Sequence, residues 1–366
     1  MVDAKYSLEH GDVLFARSGA TAGKTFIYTD DIGPAIFAGY CIRFQFNKER
    51  ALPQFVYFYT KTNRYRAWVQ SMQRPSGQPN INKEEFKSFT IPLPKVDAQY
   101  ALVSEMQAAH KARQGKLAEA NALLAGLDGY LLTKLSLAPP KGNDQQVFAS
   151  RLVQVRSTGR LNADYFHPER VFAIREQESR EKVRAERLTD AANFVRESVP
   201  ASVSENYVGL ANVQSNTGEL VASDEDAKGT CFRFAENDVL FARLRPYLNK
   251  VHRAERSGVC STEFHVIRIR PEKEDEILPE YLATVLRSSL VLVQTRHMMT
   301  GNTHPRLAND DVVNLVVPFP ELSVQQAITS EVARRREEAR RLRREAEANW
   351  EVAKARFEEK LLGGAV

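Results

Sequence analysis

Two long stretches of the chain place residues of one kind alternately three and four positions apart. In the first, about 98–135, the series is Val103, Met106, His110, Arg113, Leu117, Ala120, Leu124, Leu127 and Leu131. In the second, about 324–362, it is Thr329, Val332, Arg336, Ala339, Arg343, Ala346, Trp350, Ala353 and Phe357. Both series are mostly apolar, which is the seam of a coiled coil, imperfect near its start. At 1.5 Å per residue each helix is roughly 50 Å long. Neither has another obvious partner, so the two pair with each other. The seam then holds Leu117, Leu124, Leu127 and Leu131 on one side and Trp350, Ala353 and Phe357 on the other. Ahead of each helix the pattern changes to short apolar runs. Val13-Leu14-Phe15 reads as a strand, residues 25–28 and 35–46 as further strand, and Pro53 opens a helix reaching about Met72. A Gly-rich polar loop follows at 74–82, then a short closing strand, Ile91-Pro92-Leu93-Pro94. The same order returns at 239–243, 279–299, 300–306 and Val317-Pro318-Phe319-Pro320.

The return is literal in places. Asp12-Val13-Leu14-Phe15-Ala16-Arg17 recurs as Asp238-Val239-Leu240-Phe241-Ala242-Arg243, Pro53 as Pro279, Gln99 as Gln325, and Lys134-Leu135 as Lys360-Leu361. A period this long is a duplicated domain plus its helix, not a solenoid, and suits a task performed twice. The copies are unequal: residues 161 to about 236 have no counterpart before the first copy, which is therefore expected to be partial. Five segments follow: a partial first domain (1–97), a first long helix (98–137), a linker rich in Pro and Gly (138–160), a complete second domain (161–322) and a second long helix (323–366). In the second domain, apolar residues of the extra segment such as Leu188, Val195, Tyr207, Val208 and Leu210 are expected to cover the shared sheet.

Composition narrows the classes. With 43% hydrophobic and 27% charged residues over 366 positions, the chain has an ordinary globular make-up and length for two cores. It has no 18-residue apolar run and no apolar signal region near its start, so neither a membrane span nor export is expected. Three scattered cysteines, Cys41, Cys231 and Cys260, suit a reducing cytoplasm. A net charge of +5 allows a polyanionic partner without demanding one.

Chemistry is sparse. No Cys-x-x-Cys, His-Glu-x-x-His or Gly-x-Ser-x-Gly pattern occurs, and no metal site is expected. Gly19-Ala20-Thr21-Ala22-Gly23-Lys24-Thr25 resembles a phosphate loop but has three residues between its glycines where four are needed, and β-like sequence follows it. It reads either as a plain turn or as a contact to a phosphate backbone through Lys24 and exposed N–H groups. At the corresponding place the second copy has Arg243, Arg245, Tyr247, Asn249 and Lys250, either a solvated hairpin or a reader of bases and phosphates. The loops 74–80 and 300–306 occupy matching positions. Together these give the candidate DNA-contacting residues Arg17, Ser18, Thr21, Lys24, Arg74 and Gln78 in the first copy, and Arg243, Arg245, Tyr247, Asn249, Lys250, Asn302, Thr303, His304 and Arg306 in the second. The arginine run 334–344 reads as the solvated face of a helix or as a contact to DNA or a partner.

Several motifs in fixed order resemble the specificity subunit of type I restriction–modification systems. They are Gly11-Asp12-Val13-Leu14-Phe15-Ala16-Arg17-Ser18-Gly19, residues 237–243 with Arg245-Pro246-Tyr247-Leu248, Cys260-Ser261-Thr262-Glu263-Phe264, the Pro318-Phe319-Pro320 closure leading through Gln325-Gln326, and Arg160-Leu161-Asn162-Ala163-Asp164-Tyr165-Phe166. The resemblance implies an α+β chain: two repeated target-recognition domains, the first partial here, separated by two long helices packed as an antiparallel coiled coil. It implies a non-enzymatic subunit that reads the two halves of a split sequence in double-stranded DNA. Its partners would be methyltransferase subunits, two of them, and a restriction/translocase subunit. S-adenosylmethionine and ATP/Mg would serve those partners, with no cofactor on this chain. The partial first domain leaves an alternative, an interaction protein that docks on methyltransferase subunits without full DNA specificity. A weaker third reading is an enzyme using the Gly19–Thr25 loop for nucleotide.

Overall fold

The computed structural model describes residues 6–72, 79–140, 142, 147–180, 183–201 and 206–363. Along the chain run β1 (Val13–Ala16), β2 (Thr25–Ile27), β3 (Cys41–Phe44), α1 (Pro53–Tyr59), α2 (Asn63–Met72), α3 (Lys83–Ser88) and the long α4 (Val96–Leu135). After α5 (Leu152–Thr158) and α6 (Pro168–Glu178) come β4 (Arg184–Arg187), α7 (Leu188–Ala191), β5 (Ala192–Val195), β6 (Ser198–Pro200), β7 (Tyr207–Val208), β8 (Thr230–Phe234), β9 (Val239–Ala242), β10 (Val251–Arg253), β11 (Gly258–Ser261) and β12 (Phe264–Ile269). The chain closes with α8 (Pro279–Leu286), α9 (Ser289–Arg296), α10 (Asn309–Val312), β13 (Val316–Phe319) and the long α11 (Leu322–Leu362). It divides into two compact units, 1–121 with 339–366, and 122–338, so each long helix contributes to both.

In the first unit β1 is the middle strand of an antiparallel sheet ordered β2-β1-β3. Its inward side chains Val13 and Phe15 meet Tyr65 and Val69 of α2 and Phe86 of α3, with the Phe15 and Phe86 rings 5.1 Å apart. In a second cluster, Phe55, Phe58 and Tyr59 of α1 pack with Leu102, Val103 and Met106 of α4 and with Trp350 and Phe357 of α11. Glu105 pairs with Lys360, Arg113 with Glu347 and Lys116 with Glu345. Partners rise along α4 as they fall along α11, so the helices run antiparallel.

The second unit has the same plan on a larger scale. A sheet ordered β10-β9-β12-β5 is joined by another, β6-β8-β11-β7, and by the pair β13-β4. Leu188 and Val208 are buried, Val195 and Leu210 pack at the margin of the core and Tyr207 is half-buried, so the extra segment covers the shared sheet as anticipated. Here α4 supplies Leu131 and Leu135 and α11 supplies Ile328 and Val332.

Three expectations need correction. The single helix from Pro53 to Met72 is two helices in each copy. Thr60 and Thr62 turn their hydroxyls back to the Tyr57 and Tyr59 carbonyls, each at 2.6 Å, and an N-terminal turn restarts after Thr62, as it does after Ser288. The closing segment at 91–94 is not a strand, whereas Val316–Phe319 is. β13 has β4 to pair with, and no strand pairs with 91–94 among the described residues. A strand is defined by its neighbour, and apolar sequence alone does not supply one. The linker 138–160 contains a helix, α5.

One repeated side chain fastens each domain to its helix. Gln99 is fully buried; its Oε1 accepts from the Leu52 N–H at 2.8 Å and its Nε2 donates to the Arg50 and Pro94 carbonyls, both at 2.8 Å. Gln325 does the same with the Leu278 N–H at 3.0 Å and the Glu276 and Pro320 carbonyls at 2.8 and 2.9 Å.

Candidate nucleic-acid interface

The loop after β1 and the loop after β9 are built alike. Gly19 N–H donates to the Pro79 carbonyl at 2.9 Å and Ile81 N–H to the Arg17 carbonyl at 2.8 Å. In the second unit Arg245 N–H donates to the Pro305 carbonyl at 2.7 Å and Leu307 N–H to the Arg243 carbonyl at 3.0 Å. Two polar loops far apart in sequence are thus tied, in both units, at the end of the central strand. In each unit these ties bring together, at one end of the central sheet, two loops that carry candidate residues.

In the first unit Lys24 and Thr21 are exposed, and Arg17 and Ser18 are half-buried. Arg17 reaches Asn80 across the tie at 3.5 Å, and Thr21 Oγ1 donates to the Ser18 carbonyl at 3.4 Å. Gly23 has φ +83, and a Cβ there would lie 2.5 Å from the Val69 side chain, so the second glycine of the loop is required by α2 beneath it. Strand β2 begins at Thr25, where a nucleotide loop would need a helix. Arg74 and Gln78 lie outside the described residues.

In the second unit Tyr247, Asn302, Thr303, His304 and Arg306 are exposed and Arg243 and Arg245 half-buried. The Nε atoms of Arg243 and Arg245 are buried and have no hydrogen-bond partner among the described residues. Arg245 is also held in a left-handed conformation, φ +48. Arg306 is clamped by Glu263, with Nη2–Oε1 at 2.7 Å and Nε–Oε2 at 3.1 Å, a two-point fork that fixes its plane. Beneath Arg243 lies His265, whose pKa is pushed down to about 4 by burial first and by Arg243 second.

Two candidates point elsewhere. Asn249 is buried at φ +50, and its amide donates to the Arg287 carbonyl at 2.8 Å and to Asn216 Oδ1 at 3.3 Å. Lys250 turns inward and donates to the Leu210 carbonyl at 2.7 Å, and burial lowers its pKa. Both side chains serve the fold of the loop, so neither joins the exposed surface with Tyr247. Glu263, unassigned from the sequence although it sits in the Cys260–Phe264 motif, and Asn80 emerge as the residues that position Arg306 and Arg17.

Burial along the expected seam is uneven. Leu131, Trp350 and Phe357 are buried, and Leu117, Leu124, Leu127 and Ala353 are half-buried. Ile328 and Leu342 are buried beside the half-buried Thr329 and Arg343. A group of ligand-type side chains also gathers where sequence spacing gave none. His167, Glu169 and His297 hold one ligand atom each within 4.8 Å of the others. The two rings are stacked 3.9 Å apart at 11°, His297 Nε2 is 3.0 Å from Glu169, and Arg296 lies 3.6 Å from the same carboxylate.

The fold and loops define a class: two units of related plan, each with a tied pair of polar loops at the end of its central strand and each including part of both long helices. Residues 3–119 match the family model described as the type I restriction modification DNA specificity domain. That stretch is thus similar to the family whose motifs the chain resembles. The chain is similar in fold to a chain from a type I R-M system solved for its complex assembly and conformational transition, at 15% identity and a TM-score of 0.51, covering 98% of this chain and 83% of that one. It also aligns with the HsdS subunit of Thermoanaerobacter tengcongensis at 16% identity and a TM-score of 0.39, covering 100% of this chain and 84% of that one. The S subunit from M. genitalium aligns at 12% and 0.45, covering 97% and 84%. No curated protein matches at a significant level. Among the described residues no helix is long and apolar enough to cross a membrane.

Proposed function

We propose that this chain is the sequence-specificity subunit of a type I restriction–modification complex, directing methyltransferase and restriction subunits to a bipartite site in double-stranded DNA. The observation that carries this reading is the duplicated loop tie: the same two backbone bonds present polar residues at the same strand end in both units. A chain that only docked on partners would have no use for two equally built polar surfaces. Base contact falls to Arg243, Arg245, Tyr247 and the 302–306 loop in the second unit, and backbone contact to Arg17, Ser18, Thr21 and Lys24 in the first. The chain acts in the cytoplasm without catalysis of its own. S-adenosylmethionine and ATP/Mg belong to its partners, two methyltransferase subunits and a restriction/translocase subunit. Selection of bound duplexes from a random pool by the assembled complex tests the reading. A two-part consensus is expected, and Arg245→Ala should cost about 1–3 kcal/mol and relax preference at one position, whereas Lys24→Ala should weaken all sequences alike and flatten the salt dependence. Binding unchanged by both variants would remove these residues from the interface. Methyl transfer or ATP hydrolysis by the purified chain alone would contradict its non-catalytic role.

A further inference from the structure

Each unit has a cleft at the same place, where the turn between the paired short helices faces the far half of a long helix. In the second unit the cleft is about 330 Å³ and takes in Arg287, Arg336, Ser289 and Asp128. In the first it is about 430 Å³ and takes in Lys24, Lys61, Arg66, Lys354, Thr25 and Trp350. The two are related by the repeat: Lys61 corresponds to Arg287 and Lys354 to Asp128, each 226 positions apart. That last difference changes the charge. Asp128 puts a carboxylate into the second cleft and uses it to accept from the Ser289 N–H at 2.9 Å, capping α9. In the first unit the start of α2 is met by Glu358 instead, which accepts from the Arg64 N–H at 2.8 Å, and the position facing the cleft is a lysine. The first cleft is therefore lined by four cationic side chains and, among the described residues, by no carboxylate.

Two of the four are exposed, Lys24 and Arg66, and two are withdrawn. Lys354 is 1% exposed and bonds Glu351, which lies outside the lining. Lys61 Nζ donates to Thr25 Oγ1 at 2.8 Å and to the Thr25 carbonyl at 3.0 Å, and lies 4.1 Å from the Tyr57 ring centre. Its burial lowers its pKa to about 8, with no carboxylate to offset it. Lys61 is half-buried, and its ammonium is held only by neutral oxygens and a ring, with no anion among its hydrogen-bond partners. The rim adds the Gly19–Thr25 loop, whose close seating on α2 fixes Lys24 beside Lys61 in the lining.

We propose that the first cleft is a phosphate site, in which a phosphate group from a nucleic-acid backbone or from a free phosphate ester is held by Lys24, Lys61, Arg66 and Lys354. The site shares Lys24 with the backbone contact proposed above and to that extent rests on it, but it needs no base sequence, so a phosphate response of the full chain is read separately from sequence preference. The test is thermal unfolding of the full chain titrated with inorganic phosphate, against chloride at matched ionic strength. Phosphate should raise the melting temperature beyond chloride. Lys24→Met and Lys61→Met should each weaken the half-saturating concentration by about tenfold or more. Lys24 is exposed, so its variant leaves the fold intact, and circular dichroism checks the other. The response should fade as pH rises through about 8, where Lys61 gives up its proton. A short non-specific duplex separates the sources: suppression of the phosphate response marks a backbone site, and an undiminished response in saturating duplex marks a free ester. Stabilisation no greater than with chloride, or wild-type responses in both variants, would overturn the proposal.

Discussion

At the scale of single residues, Gln99 and Gln325 show how little of a side chain's task is visible before folding. Both stand out in the repeat, yet a glutamine near the start of a helix looks like surface. Each instead satisfies one N–H and two carbonyls at a buried junction. Gln325→Leu leaves those three groups without partners, at about 1–3 kcal/mol for a stranded buried group. Its urea midpoint should fall with an unchanged slope, and an unaltered midpoint would show that water replaces the amide. Asn249 and Lys250 are the converse case. A polar residue on a loop suggests contact with a ligand, but a left-handed φ and an inward hydrogen bond are tertiary facts. His265 gives a pH prediction. Its folded pKa of about 4 lies below the usual value near 6.5 for histidine. Between these values the unfolded chain takes up a proton that the folded chain refuses, so stability rises with pH and is lost as pH falls from about 6.5 to 4. In His265→Gln this dependence should flatten, and equal curves for variant and wild type would rule the residue out as its source.

Among elements, the long helices were the most legible, because a spacing of three and four sustained over about eight turns fits little besides a helix with one apolar face. Their observed bounds, Val96–Leu135 and Leu322–Leu362, begin two residues ahead of the expected stretches. The seam was harder to place, since two neighbouring columns of an α-helix can both be apolar: Ile328 and Leu342 are buried in place of Thr329 and Arg343. The short elements were less legible still. A strand such as β13 depends on β4, which is more than 120 positions away in the chain and has the charged sequence Arg-Ala-Glu-Arg. Trp350 illustrates what the seam does. Its ring meets Phe58 of α1 at 6.5 Å and His110 of α4 at 5.6 Å, so it joins both the helical pair and the domain. Trp350→Ala should cost about 3–5 kcal/mol, read from chemical unfolding, and weaken assembly with methyltransferase subunits in a pull-down. A stability within error of wild type would place the residue outside the packed junction.

Across the whole molecule the two units share a plan but differ in how their central sheets are finished. In the second, β12 is paired on both sides, by β9 and by β5, with Val266 to Ile269 opposite Val195 to Ala192. In the first, β3 pairs with β1, and no strand pairs with its other edge among the described residues. The repeat also places differently suited residues around the smaller sheet: Phe26 is 45% exposed, whereas His252, its counterpart on β10, is 7% exposed. Ile36 and Tyr40 are exposed as well, at 58% and 60%. An unpaired edge beside exposed apolar side chains opens more readily than a strand bonded on both sides, because its amides are protected by fewer contacts. The pairing of β5 with β12 was not legible in the sequence, since the two strands are separated by about 70 residues and the pairing is long-range. Amide exchange in Cys41–Phe44 should therefore be faster than in Phe264–Ile269, and limited proteolysis should cut within 6–97 before it cuts within 206–320. If both segments exchanged and resisted cleavage equally, the three-stranded sheet would be as stable as the larger one, and its edge would have to be protected by something other than strand pairing.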